Sequence, residues 1–348
     1  MKTTGVATMT ASSGTLRFGS DEEPGIRRRG TKRFTYLDER TGKPASQANL
    51  ERIRALAIPP AWTDVWIAGD ADCHVQATGR DAKGRKQYRY HDDFTADRAS
   101  TKFDSLIGFA NRLGPLRRRV DRDLRRDDLG HERVVATIVK LLDVTSLRIG
   151  NDEYARENRS FGLTTLRDGH AVIRQGRIRL TFPGKSKNRF DLTVENRRLA
   201  AVVKKCQDLP GQRLFAYEDL DGSIRTVASN DVNNYLAEYA GPGTTAKTFR
   251  TWNATVLAAD GLAAVADDQD EPTKRSVNEV IDDVARVLGN TRAVCRTSYV
   301  HPAVIESYLE DTLLPSWNRK VSARPAGLTV AERKTVRLLR RAARSAAD

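Results

Sequence analysis

Near residue 95 the spacing of apolar residues changes from alternation to the 3.6-residue period of a helix. Upstream, Leu50, Ile53 and Ala57 mark one short helix, stopped by Pro59-Pro60. The strand-like runs DVWIA, CHVQATGR and RKQYRYH follow, the last two joined by a turn at DAKG. Downstream, Phe103, Leu106, Ile107, Ala110 and Leu113 form one helical stripe, and Val134, Ile138, Leu141 and Leu142 form another. A second β interlude, AVIRQG, RIRLTF and NRFDLTV, turns at Gly176 and Gly184-Lys185 before helices resume through ENRRLAAVVKKCQ, NDVNNYLAEYA, KTFRTWNATVLAA and SVNEVIDDVARVLG. Segregated strands and helices predict an α+β chain. A small β-rich N-terminal domain spans 31–93, and a mostly helical domain with an inserted three-stranded sheet spans 94–322. Residues 1–30, rich in Gly, Ser, Thr and charge, read as a flexible basic arm. Residues 323–348 read as a basic helical tail opened by a capping box, Thr329 to Glu332.

The balance of charge points to a partner. Lys and Arg number 59 against 45 Asp and Glu, a formal charge of +14 that folding does not require and a polyanion would exploit. The three cysteines, Cys73, Cys206 and Cys295, are far apart and suit reduced thiols in the cytoplasm, with a nucleoid association following from the charge. No signal-peptide or membrane-length apolar run is expected. The five histidines, His74, His91, His131, His170 and His301, fall at no metal-ligand spacing. FPGKSK ends like a phosphate loop, but Arg179 stands where that loop needs a glycine, and a strand follows where it needs a helix. DLDG at 219–222 is a turn signal. No metal and no cofactor is expected.

An enzyme acting on a polyanion without these aids can use a side-chain nucleophile. A tyrosine hydroxyl, of pKa ~10, attacks a phosphodiester only if cations stabilise the developing charge. Forked arginines suit the non-bridging oxygens, and the departing oxygen needs an acid such as lysine. Four passages offer these groups: TSLRIGN with Arg148, FPGKSKNRF with Lys185, KTFRTWN with Arg250, and LGNTRAVCRTSYVHP with Asn290 and Tyr299. Singly, each has an ordinary alternative: a solvated helix-end arginine, a loop lysine, a surface arginine, an Asn cap, a packed tyrosine.

Together with RKQYRYH, these passages resemble, from about residue 30 to 320, the type IB DNA topoisomerases of the single-subunit bacterial and poxvirus-like branch. The resemblance implies a monomer whose domains clamp double-stranded DNA. It makes Tyr299 the nucleophile, Arg148 and Arg250 the phosphate-binding arginines, and Lys185 the general acid, with Lys187 its competitor. Asn290 stands where eukaryotic and viral members carry histidine, and is expected to donate a hydrogen bond rather than exchange protons. His301 reads as helix-start structure. In the β hairpin Lys86, Tyr88 and Tyr90 share one face and Arg85, Gln87, Arg89 and His91 the other. With Arg80, Lys83, Lys187 and Lys247, the 85–90 stretch forms the expected DNA-binding set. The implied activity is relaxation of supercoiled DNA through a 3′-phosphotyrosyl link, without ATP or metal. A tyrosine recombinase is the nearest alternative, but it usually carries HxxR where this chain has Lys247-Thr248-Phe249-Arg250. A non-enzymatic basic DNA-binding protein is the other.

Overall fold

A computed structural model describes residues 8–11, 14–31, 33–185, 188–268, 271–322 and 326–345. The chain divides into two units, Met1–Phe103 and Asp104–Asp348. In the first, β1 (Thr8–Ala11) and β2 (Gly14–Arg17) form a hairpin of their own. The strands β3 (Ile26–Arg29), β4 (Thr35–Asp38) and β5 (Lys43–Pro44) precede helix α1 (Gln47–Ala55), and β6 (Thr63–Ile67), β7 (Val75–Arg80) and β8 (Lys86–Tyr90) follow it. These six make one antiparallel sheet in the order β5-β4-β3-β6-β7-β8, which leaves β8 at an edge. Ile26, Ile53, Val65, Ile67 and Ala77 pack with Leu50 and Trp62 into its core. Full burial of such a side chain contributes about 1.5–3 kcal/mol.

The expected basic arm is corrected here. Ile26 is fully buried and β3 pairs with β4 on one side and β6 on the other, so GIRRRG is a central strand. Two of its three arginines are occupied: Arg27 pairs with Glu39, and Arg28 donates to the carbonyls of Pro59, Pro60 and Trp62. Residues 1–7 lie outside the described residues.

Helix α2 (Asp92–Asp123) carries the chain into the second unit, where α3 (His131–Thr145) and α4 (Asp152–Asn158) follow. The inserted sheet is β9 (Ala171–Arg174), β10 (Arg177–Pro183) and β11 (Arg189–Glu195), antiparallel with β10 in the middle. Next come α5 (Arg197–Gln207) and a small hairpin, β12 (Ala216–Glu218) and β13 (Ile224–Thr226), turned by DLDG. The remaining helices are α6 (Ser229–Ala240), α7 (Ala246–Asp268), α8 (Lys274–Leu288), α9 (Arg292–Ser298), α10 (Pro302–Leu309), α11 (Leu313–Trp317) and α12 (Val330–Ser345). Helix α7 is the hub. Its Trp252, Ala254, Ala258 and Leu262 are fully buried, and α3, α8, α10, α11 and α12 pack around it. No described helix is long and apolar enough to cross a membrane.

The C-terminal helix is part of this core rather than an appended tail. The Thr329–Glu332 capping box forms, with the Thr329 amide donating to Glu332 at 2.7 Å and the Glu332 amide to Thr329 Oγ1 at 3.2 Å. Val336, Leu338 and Leu339 are buried. Glu332 reaches Arg117 of α2, which also holds Asp143 of α3 at 2.8 Å. Trp252 Nε1 donates to the same Glu332 carboxylate at 3.2 Å. Burial would raise the Glu332 carboxyl and lower the Arg117 guanidinium; their hydrogen bonds win, leaving Glu332 below and Arg117 above their ordinary values. Four helices are thereby tied at one buried point. The arginine content that made 323–348 read as a tail is spent partly on structure, since Arg337 donates to the carbonyls of Ser316, Trp317, Arg319 and Lys320.

Candidate active site

Helix α3 ends at Ser146 in the left-handed conformation, which throws Leu147-Arg148-Ile149 out as an irregular segment. That segment is pinned, because the carbonyls of Arg148 and Ile149 accept from the amides of Leu163 and Thr164 at 2.9 and 2.7 Å. Arg148 then donates from Nη2 to Asn290 Oδ1. Arg250 rises from the first turns of α7 and is only 3% exposed. Its Nη1 donates to the Ser146 carbonyl and its Nη2 to the Leu288 carbonyl, the latter at 2.9 Å. Burial and the like charge of Arg148 push Arg250 down to about 10, so it stays a cation at neutral pH.

Helix α8 stops at Gly289, which sits at φ 61°. Any other residue would be strained there, and a Cβ would lie 2.5 Å from the Phe190 ring. Asn290 follows that turn. Tyr299 ends the short helix α9, its amide bonded to the Cys295 carbonyl at 3.0 Å and its carbonyl 3.2 Å from Thr255 Oγ1. The Tyr299 ring lies 5.0 Å from the Arg250 guanidinium. Burial alone would raise its hydroxyl, but Arg250, Arg148 and Lys247 outweigh burial and hold it below the ordinary tyrosine value. His301 caps α10, its Nδ1 accepting from the Ala303 amide, as expected of a helix start.

These side chains open on one cleft of about 290 Å³, lined among others by Arg148, Tyr154, Lys185, Lys247, Arg250 and Tyr299. Lys185 sits at the β10–β11 tip with its ammonium 5.5 Å from the Tyr154 ring. Asn290 stands behind Arg148 rather than on the wall. Three buried donors, Arg148 Nη1, Arg250 Nε and Asn290 Nδ2, have no hydrogen-bond partner among the described residues. Burying such groups without a partner is unfavourable unless something else pairs with them. Three unpaired donors beside a phenol of lowered pKa suit an anion with several oxygens. Lys187 lies outside the described residues.

The residues expected to bind DNA through the β hairpin behave differently from one another. Tyr88 and Tyr90 are 45% and 43% exposed and stack with ring centroids 5.7 Å apart. Lys86 is paired with Asp21 at 2.7 Å. Arg85 and Gln87 both bond Asp81, at 2.6 and 3.0 Å, so they brace the turn in this structure. Arg80 donates to the Gly84 carbonyl and Arg89 to the Ala57 carbonyl, while the Lys83 amide donates to Asp81. Sequence reasoning missed Asn188, whose amide reaches Gly289, and Thr255, which braces Tyr299; both contacts join distant segments.

Comparison with known proteins gives the class first. Residues 91–317 match the family of the eukaryotic DNA topoisomerase I catalytic core, and residues 33–81 match the bacterial DNA topoisomerase IB N-terminal domain. DNA topoisomerase 1B of Acanthamoeba polyphaga mimivirus is 33% identical over 284 residues, 79% of this chain and 84% of that protein. DNA topoisomerase 1B of Vaccinia virus (strain Copenhagen) is 22% identical over 80% of this chain and 88% of its own. DNA topoisomerase 1 of Mycosarcoma maydis is 32% identical over 49% of this chain, but only 19% of its own length is matched. The chain belongs to the type IB DNA topoisomerases.

Proposed function

We propose that this protein relaxes supercoiled double-stranded DNA by cutting and resealing one strand. Tyr299 attacks a phosphodiester through its hydroxyl oxygen and gives its proton to solvent, the bond to the 5′-oxygen breaks, and the 3′-phosphate becomes esterified to the tyrosine. Arg148 and Arg250 stabilise the charge that develops on the non-bridging oxygens, and Asn290 donates a neutral hydrogen bond to one of them. Lys185 protonates the departing 5′-oxygen. After the strand rotates, the 5′-hydroxyl attacks the phosphotyrosine and releases the enzyme. The phosphotyrosyl ester conserves the energy of the broken bond, so the cycle needs no ATP.

The observation that carries this reading is one cleft lined by Tyr299, Lys185, Arg148 and Arg250, with an unpaired buried donor on each arginine and on the Asn290 behind them. Stacked, half-exposed Tyr88 and Tyr90, with Arg80, Arg85, Lys86, Gln87, Arg89 and Lys83 around them, support a second set of DNA contacts on β7–β8. The test is plasmid relaxation in chelator without nucleotide, together with capture of protein–DNA adduct on denaturation. Wild type is expected to relax plasmid and leave an adduct at the 3′ end. Tyr299→Phe is expected to bind DNA and form none; an adduct from that variant would refute the assignment.

A further inference from the structure

We propose that Asn188 is a positioning residue, whose side-chain amide clamps the Lys185 hairpin to the turn at Leu288-Gly289-Asn290. The inference deepens the reading of Lys185 as general acid and rests on it. Three consecutive residues of that turn each accept a hydrogen bond from a different segment. The Leu288 carbonyl takes Arg250 Nη2 at 2.9 Å, the Gly289 carbonyl takes Asn188 Nδ2 at 2.9 Å, and Asn290 Oδ1 takes Arg148 Nη2. One turn therefore registers both arginines and the hairpin that carries the lysine against a common frame.

The hairpin tip is built to be held there. The Gly184 amide closes on the Asn188 carbonyl at 2.6 Å, so Asn188 is fastened to the residue just before Lys185. Phe190 lies over both glycines: a Cβ on Gly184 would come within 2.4 Å of its ring, and one on Gly289 within 2.5 Å. Phe182 stacks behind Phe190 with centroids 5.3 Å apart. Ring packing alone lets a hairpin slide over a flat glycine face. The Asn188 amide adds a directional bond and fixes where the tip stops. Lys185 has four rotatable side-chain bonds, and only its backbone can be set in advance. A displacement of ~1 Å in such a group can cost up to about 10²-fold in rate.

A role confined to the acid makes a sharp demand. Asn188→Ala should slow only the step in which the leaving oxygen is protonated. The experiment uses the full chain in single-turnover cleavage of a duplex oligonucleotide whose scissile 5′-position is either oxygen or sulfur. A thiolate leaves without protonation, so the sulfur substrate is indifferent to the acid. Lys185→Ala calibrates the assay. Asn188→Ala is expected to be about tenfold or more slower than wild type on oxygen and close to wild type on sulfur, which also shows that the variant is folded. The double variant should be no slower than Lys185→Ala alone, because a misplaced acid and a missing acid cannot both be lost. Equal slowing on both substrates, or no slowing on oxygen, would overturn the positioning role. Failure of the underlying reading shows separately, as a Lys185→Ala variant that sulfur does not rescue.

Discussion

Removing Arg117 should damage the helical unit more than removing either carboxylate it holds. Its guanidinium donates to Asp143 from Nε and Nη2 at 2.9 and 2.8 Å, and to Glu332 from Nη1 and Nη2 at 2.9 and 2.8 Å. The two carboxylate side chains are each 6% exposed. Glu332→Gln leaves Arg117 paired with Asp143, so no charge is stranded. Gln keeps a single accepting oxygen, so one hydrogen bond from Arg117 and one from Thr329 or Trp252 are lost, about 2–4 kcal/mol together. Arg117→Met leaves two buried carboxylates facing each other, and stranding charge in this way costs about 3–5 kcal/mol. Urea unfolding followed by far-ultraviolet circular dichroism separates the two variants. The pH dependence has a defined sign. Glu332 is lowered from its ordinary 4.5, so its contribution is complete above that value and is lost as pH falls through the folded one. The gap between wild type and Glu332→Gln should therefore close on acidification below ~4.5. The Arg117→Met deficit should also ease in acid, as one carboxylate protonates. An Arg117→Met protein as stable as Glu332→Gln, or a gap unchanged by acid, would refute the reasoning.

Three further outcomes are expected. Arg148→Ala and Arg250→Ala each remove a charged donor and should slow single-turnover cleavage by about 10²-fold or more, whereas Asn290→Ala, losing a neutral donor, should cost less; an asparagine variant slower than both arginine variants would reverse the assigned roles. Equilibrium binding to duplex DNA should weaken by orders of magnitude between about 50 and 200 mM salt, while deletion of residues after 322 should unfold the helical unit instead of flattening that salt slope, and a folded, cleaving deletion protein would contradict the burial of α12.

What the sequence displayed was mostly local. The turn at DAKG, the helix-ending Gly289, the Thr329–Glu332 box and the Pro302 helix start each depend on residues within about one helical turn, and the structure has them all. The inserted sheet was legible from alternation and its glycine turns. Charge misled in two places. Three arginines in GIRRRG hid the fact that Ile26 faces a core, and the arginines of α12 obscured Val336 and Leu339 on its inner face. Residue type alone grouped Arg148, Lys185, Arg250 and Tyr299, and the structure brings these four to one cleft. The bracing of that cleft was not legible. Asn188 reads as a turn residue until its contact 101 residues away is known.

Such distances bear on how the molecule comes into being. The bonds that register the cleft join residues 101, 104 and 142 apart, and Arg117 finds Glu332 across 215. Each closes a long stretch of chain, and that entropic cost must be met before the contact gives anything back. Individual helices can form early, but Arg148 and Arg250 acquire their common frame only when the turn after α8 has docked. A half-folded copy carries the side chains of the cleft without the frame that registers them. Under the proposed strand cleavage, late assembly keeps the cleft from acting on DNA before folding is complete.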